Sequence, residues 1–227
     1  IIVIIFLTFL IRYIYYHPSN IKEGNNHYEI GFFGVSNLEK KGLDELLKII
    51  SKTNDIKKYN SNINGTGSLD KIYDGYTFEE ALERCLNMKN ELYAKSINRV
   101  PGKTFLLIRK NDNKIVGTIN IRWNLSEKML EFGGHIGYGI RPTERRKEYN
   151  KIQLYLVLLE AQKLNLDKVM LDCSVDNLGS DKTIKALGGI LERCELDEAD
   201  NTMTNVYWIN VDESIKKYKD EYSKYIM

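Results

Sequence analysis

The stretch from Gly133 to Gly189 limits what this chain can fold into more than any other. It opens as Gly133-Gly134-His135-Ile136-Gly137-Tyr138-Gly139-Ile140-Arg141-Pro142, an apolar-alternating run that reads as a strand. A charged turn, Thr143-Glu144-Arg145-Arg146-Lys147-Glu148, leads into about four turns of helix from Tyr149 to Leu164, read as amphipathic along Ile152, Tyr155, Leu156, Leu159 and Lys163. A second strand, Lys168 to Val175, is followed by Asp176-Asn177-Leu178-Gly179-Ser180 and a helix ending at Gly188-Gly189. Strand, basic turn, helix and strand in that order build a cradle for an anion at a helix N-terminus.

The flanks extend this unit into a mixed α/β fold whose central sheet is mostly antiparallel and flanked by helices. Leu43, Leu46, Leu47 and Ile50 predict a helix from Leu43 to Ser51, and 60–68 reads as a loop. Thr77 with Glu80 forms a capping box for a second helix carrying Leu82, Cys85, Leu86 and Met88. After Pro101-Gly102 the pattern turns extended: Thr104 to Arg109 and Ile115 to Trp123 predict a hairpin around Asn111-Asp112-Asn113-Lys114. With the Gly133 strand this makes three consecutive antiparallel strands. Ile190 to Glu195 and Asn205 to Val211 predict a closing hairpin around a loop at Leu196 to Asn201. A tail helix carries Ile215, Tyr218, Tyr222 and Tyr225, read as exposed aromatics suited to docking on a neighbour; oligomeric state is open. The domain plan is an apolar segment and linker at 1–34, with a short strand at Tyr28 to Phe33, then a catalytic-type domain at 35–211 and the tail helix at 212–227.

Composition excludes several classes. A net charge of +2 gives no bulk field for nucleic acid. Cys85, Cys173 and Cys194 fit neither a disulfide framework nor a zinc pattern, so no metal is expected and reduced cytoplasmic thiols are. The apolar run Ile1 to Leu10, interrupted at Arg12, is shorter than the roughly 20 residues of a bilayer span. Membrane association through 1–16 as a truncated anchor, a signal-type core and a segment buried against a partner all stay open.

Gly134 to Lys147, with Asp176 to Ser180 after the next strand, resembles the GNAT superfamily of acetyl-CoA-dependent N-acetyltransferases, nearest its bacterial members of uncharacterised substrate. The resemblance runs from about residue 43 to 211. It implies transfer of acetyl from acetyl-CoA, as co-substrate, to a primary amine of a small molecule or peptide, by direct attack without an enzyme nucleophile. Backbone groups of Ile140 and Arg141 would meet the pantetheine arm. The turn, Arg145, Arg146, Lys147, Glu148, Tyr149 and Asn150, would wrap the pyrophosphate, with Asn177 and Ser180 near the thioester. Arg145 matches the opening of the family's pattern, but Glu148 and Asn150 stand at its two small-residue positions. A carboxylate beside a diphosphate has the wrong sign, so a catalytically impaired GNAT-fold binding or regulatory module is the alternative. The family's general-acid tyrosine would fall on Ile184, which has no proton to give; Tyr149, Tyr155 and Tyr207 are substitutes that spacing does not separate. His135, between Gly residues on one strand face, is the candidate base, against a packed, hydrogen-bonded histidine as the plain reading; Glu131 and Asp172 are weaker candidates.

Overall fold

The computed structural model describes residues 16–23, 26–34, 78–109, 111–112 and 114–223. The expected helix at 43–51, the loop at 60–68, the cap residue Thr77, the apolar run 1–15 and Tyr225 lie outside the described residues.

A five-stranded sheet runs in spatial order β1 (Tyr16–Glu23), β2 (Asn26–Gly34), β3 (Gly102–Arg109), β4 (Lys114–Arg122) and β5 (Ile136–Ile140), each neighbour antiparallel. A three-stranded sheet holds β6 (Lys168–Ser174), β8 (Thr202–Asn210) and β7 (Ile190–Asp197) in that order. The three-strand meander and the closing hairpin stand where the sequence puts them. The short strand expected at Tyr28 to Phe33 lies within β2, but the linker expected around it does not appear: its residues pair as a hairpin, with Glu23 opposite Asn26, and β2 then pairs Ile30 to Gly34 against Arg109 to Phe105. Polar composition signals a linker only when the backbone is solvated; in outer strands the ladder satisfies the backbone, so the side chains need not be apolar.

Helix α1 (Phe78–Asn87) buries Ala81 and Cys85, and α2 (Glu91–Ser96), capped by the Asn90 side chain accepting from the Tyr93 amide at 3.1 Å, buries Ala94. Neither α2 nor the one-turn α3 (Glu127–Glu131) shows a helical apolar period long enough to read in advance.

The crossover helix α4 (Tyr149–Lys163) corrects the amphipathic reading. Ten of its residues are buried, on all sides, including Gln153 and Glu160. It lies against β4 and β5 on one side and the tail helix α6 (Val211–Tyr222) on another, so it has little solvent face to make polar. Glu160 is admitted because Lys103 and Lys163 reach its carboxylate at 3.5 and 2.6 Å.

The tail helix likewise packs on the core, and Tyr222, read as an exposed aromatic, is buried there. Its N-cap Asn210 accepts from the Glu213 amide at 3.1 Å, Ser214 Oγ donates to Leu187 O at 2.7 Å, and Tyr155 Oη donates to Ile215 O at 3.3 Å. Tyr222 is buried and stacks on Tyr155 with ring centroids 4.9 Å apart. Helix α5 (Leu178–Ala186) completes the fold, burying Thr183 and Ile184. No helix among the described residues is long and apolar enough to cross a membrane, and no group of His, Cys, Asp or Glu among them is placed to hold a metal.

Candidate active site

The site is the gap between the two sheets. Strands β5 and β6 touch at one end only: the His135 amide donates to Met170 O at 2.8 Å, and the Met170 amide donates to His135 Nδ1 at 3.0 Å. Gly134 makes that approach feasible, because a Cβ there would lie 2.4 Å from Met170 O and the backbone turns at φ +53°. Beyond this contact β5 pairs only with β4, and β6 only with β8.

Arg122 N bonds to His135 O and Arg141 N to Val116 O, each at 2.8 to 2.9 Å. Bonded residues alternate along an antiparallel pair. Within the register Gly117–Ile140 to Ile121–Ile136, Ile136, Tyr138 and Ile140 therefore turn their amides and carbonyls away from β4, toward the gap. The Ile140 carbonyl accepts from Arg145 Nε at 3.3 Å. Arg141 is buried and its Nε donates to Ile115 O at 2.9 Å, so this side chain anchors the strand end to β4.

A 3₁₀ turn, Pro142–Glu144, then leads to the basic segment. Arg146 and Glu148 both adopt left-handed backbone, at φ +65° and +63°. That conformation costs an L-residue about 1–2 kcal/mol and is why glycine is usual in such turns. The turn thus keeps a glycine-type shape without glycine. Glu148 is exposed at 63 % and pairs with Lys151, so its carboxylate faces solvent. Asn150 Nδ2 donates to Thr183 Oγ1 at 3.3 Å and its Oδ1 accepts from Gln153 at 2.7 Å, joining α4 to α5. Among the described residues no carbonyl accepts from the amides of Arg146, Glu148 or Asn150. Three amides without carbonyl partners thus stand at a helix N-terminus with exposed Arg145 and Arg146 beside them, groups of the kind that can meet an anion.

Lys147 is drawn the other way, its Nζ 3.2 Å from Glu144. Glu144 is buried and also accepts from Arg109 Nη1 at 2.8 Å and Lys114 Nζ at 2.9 Å. Burial opposes its ionisation, yet these bonds together hold its carboxyl down at about 2.

At the other side of the gap, Asn177 caps α5 by accepting from the Ser180 amide at 3.2 Å. The Ser180 carbonyl lies 3.5 Å from Tyr138 Oη. Tyr138 sits between β6, α4 and α5, and burial raises its phenol. Sequence reasoning passed over Tyr138; its place between Gly137 and Gly139 was the available signal.

The other tyrosines divide. Tyr149 and Tyr155 are buried, and Ile184 is in the core. Tyr207 Oη donates to Asp181 near the start of α5, and burial, with that carboxylate, raises its phenol. His135 is held down to about 4 by burial and by Arg122. The imidazole is therefore neutral at pH 7, and with Nδ1 accepting from Met170 its proton sits on Nε2, so taking up another at Nδ1 would break that bond. Asp172 accepts from the Gly133 amide, and Arg122 Nη2 donates to Gly133 O at 2.6 Å, so these groups knit the closed end of the gap.

Two antiparallel sheets that part beyond one contact, with a basic turn leading into the crossover helix, define the class of fold. Residues 37–190 match the family model described as acetyltransferase (GNAT) domain, and the chain belongs to that family, acyltransferases that use acetyl-CoA as co-substrate. Among solved structures, the ribosomal-protein-S5-alanine acetyltransferase from Vibrio fischeri is similar at 16% identity, TM-score 0.52, over 86% of this chain and 97% of that one. The spermidine N-acetyltransferase from Vibrio cholerae, in complex with CoA and spermine, matches at 16% identity, TM-score 0.49, over 82% and 98%. An acetyltransferase (GNAT family) from Bacillus anthracis matches at 18% identity, TM-score 0.44, over 66% and 86%. No curated protein matches the sequence.

Proposed function

We propose that this chain transfers acetyl from acetyl-CoA directly to a primary amine of a small molecule or peptide. The observation that carries the reading is the set of amides at Arg146, Glu148 and Asn150, without carbonyl partners, at the start of α4. They fit a diphosphate, with Arg145 and Arg146 adding charge. Backbone groups of Ile136, Tyr138 and Ile140 would run along the pantetheine, and Asn177 and Ser180 would border the thioester. The impaired-module alternative rests on Glu148 and Asn150. Against it stand the solvent-turned Glu148, paired with Lys151, and Asn150, whose side chain is spent on Thr183 and Gln153.

The amine must lose a proton as it attacks, and the departing sulfur must gain one. His135 we take as a pin at the closed end of the gap. Tyr138, kept protonated by its surroundings, is the residue we assign to donate to the sulfur. The working unit includes the Tyr16–Gly34 hairpin and α6 along with 35–211, since the hairpin extends the sheet and the helix closes the core. The test is calorimetry with acetyl-CoA followed by thiol release on a panel of amines. Binding with turnover supports the transferase; no binding, or saturable binding with no thiol release on any amine, overturns it and supports the module.

A further inference from the structure

The turn that carries the three donor amides contains two left-handed residues and no glycine, so something outside it must hold its shape. Directly before it lies Glu144, a buried carboxylate bonded to cations from three places. Arg109 closes β3, Lys114 opens β4 and Lys147 belongs to the turn itself. Arg109 is in turn gripped by Asp112, at 2.7 and 2.9 Å, so the hairpin end is braced as well. Glu144 remains ionised far below neutral pH, which keeps the cluster intact under ordinary conditions.

We propose that Glu144 is a positioning residue for acetyl-CoA: its buried carboxylate ties the β3–β4 hairpin to Lys147 and so fixes the glycine-free turn in its phosphate-binding shape. The proposal rests on the reading that this turn takes the diphosphate. It goes beyond that reading by assigning to a buried ion cluster the stiffness that backbone alone does not supply. Glu144 touches no substrate. It acts through the amides of Arg146 and Glu148, whose directions depend on the segment it anchors.

The test compares wild type with Glu144→Gln, Glu148→Gly, the double variant, and Lys114→Gln, which removes one partner at a partly exposed position. Acetyl-CoA affinity is measured by calorimetry, kcat and KM by thiol release, and turn opening by tryptic cleavage after Arg145 and Arg146, mapped by mass spectrometry without cofactor. Glu144→Gln should weaken acetyl-CoA binding about tenfold with kcat within about twofold, and Lys114→Gln about threefold. Both should speed cleavage in the turn. Glu148→Gly should restore more affinity in the Glu144→Gln background than it adds to wild type, because glycine tolerates the left-handed backbone the cluster otherwise enforces. A merely structural role would lower thermal stability without moving KM against kcat. Unchanged cleavage and affinity, or equal gains from Glu148→Gly in both backgrounds, would overturn the proposal. Should wild type ignore acetyl-CoA, the ligand assignment fails and the positioning role fails with it. Faster cleavage in Glu144→Gln would then still show a pinned turn, separating that failure from a wrong account of Glu144.

Discussion

Replacing Glu148 with glycine probes the turn most directly, because one substitution changes its backbone strain and its charge together. Glu148 holds φ at +63°, and relief of that conformation is worth about 1–2 kcal/mol. Glycine gives back roughly 0.5–1 kcal/mol through its freer unfolded chain. Loss of the exposed pair with Lys151 removes a few tenths more, on the order of 0.2–1 kcal/mol. The net lies between about 1 kcal/mol of destabilisation and about 1.3 kcal/mol of stabilisation, so Tm should shift by no more than about 5 °C in either direction. Charge acts separately. A carboxylate about 8 Å from each of two phosphate charges in water opposes binding by about 1 kcal/mol in total, of which Lys151 offsets roughly half. Acetyl-CoA should therefore bind about twofold tighter to Glu148→Gly at low salt, with the advantage fading near 0.5 M salt as the Debye length falls to about 4 Å. Calorimetry at two ionic strengths decides it. Weaker binding by the variant, or a gain that ignores salt, would refute the solvent-turned placement of this carboxylate and the diphosphate assignment together.

Removing the Tyr138 hydroxyl as Tyr138→Phe should lower kcat about 10²-fold with acetyl-CoA affinity little changed, read by thiol release; an unaffected kcat rules out proton donation from this residue. Tyr222→Ala opens a space against Tyr155 and should lower stability by about 3 kcal/mol, a fall in Tm of roughly 6–12 °C by calorimetry. Acid stability should fall in two windows. His135, held down to about 4, charges more readily unfolded than folded, so stability is complete above about 6.5 and declines toward pH 4 by on the order of 2 kcal/mol after allowing for its partial exposure. His135→Asn should lack that component in denaturant titrations. Glu144, held near 2, adds stability above about 4.5 that is lost as pH falls toward 2, and Glu144→Gln should flatten that lower window.

Local pattern carried much of the architecture into view, and it failed where tertiary context chose. The β3–β4 hairpin, β5, β6 and the β7–β8 hairpin were legible because two-residue alternation and turn residues mark them. Helix α4 was legible as a helix and misread as amphipathic, since Gln153 and Glu160 are polar residues that the core nonetheless takes in, Glu160 with Lys103 reaching it from β3 and Gln153 with Asn150 one turn back. Tyr222 looked like a surface aromatic because nothing local shows that Tyr155 waits for it. At the site, the segment 140–150 was readable from its basic turn, and the roles within it were not. His135 offered open space by sequence, whereas the Met170 amide that occupies its Nδ1 lies 35 residues away. Tyr138 offered by sequence only its place between Gly137 and Gly139, and its meeting with the start of α5 shows once β5 is followed there.

The charge on the turn follows from how its five ionised residues are shared out. From Glu144 to Glu148 the run carries three cations and two anions, a formal sum too small to attract a diphosphate strongly. The structure separates them. Lys147 is committed inward to Glu144, which Arg109 and Lys114 already balance, and Glu148 is turned outward to Lys151. What remains at the open face beside the amides is Arg145 and Arg146. Two exposed guanidiniums next to a helix N-terminus give short-range attraction with directional donors, and they do so without making the whole surface basic. On the proposed reading, a chain of net charge +2 recognises a polyanionic carrier through this local charge and not through a bulk field. Reversing one of them, as Arg146→Glu, should accordingly cost acetyl-CoA affinity more than reversing Lys147, by about tenfold at low salt, because only the arginine faces the ligand. Equal losses at the two positions would mean that Lys147 leaves Glu144 when the carrier arrives, and that the inward ion cluster opens on binding.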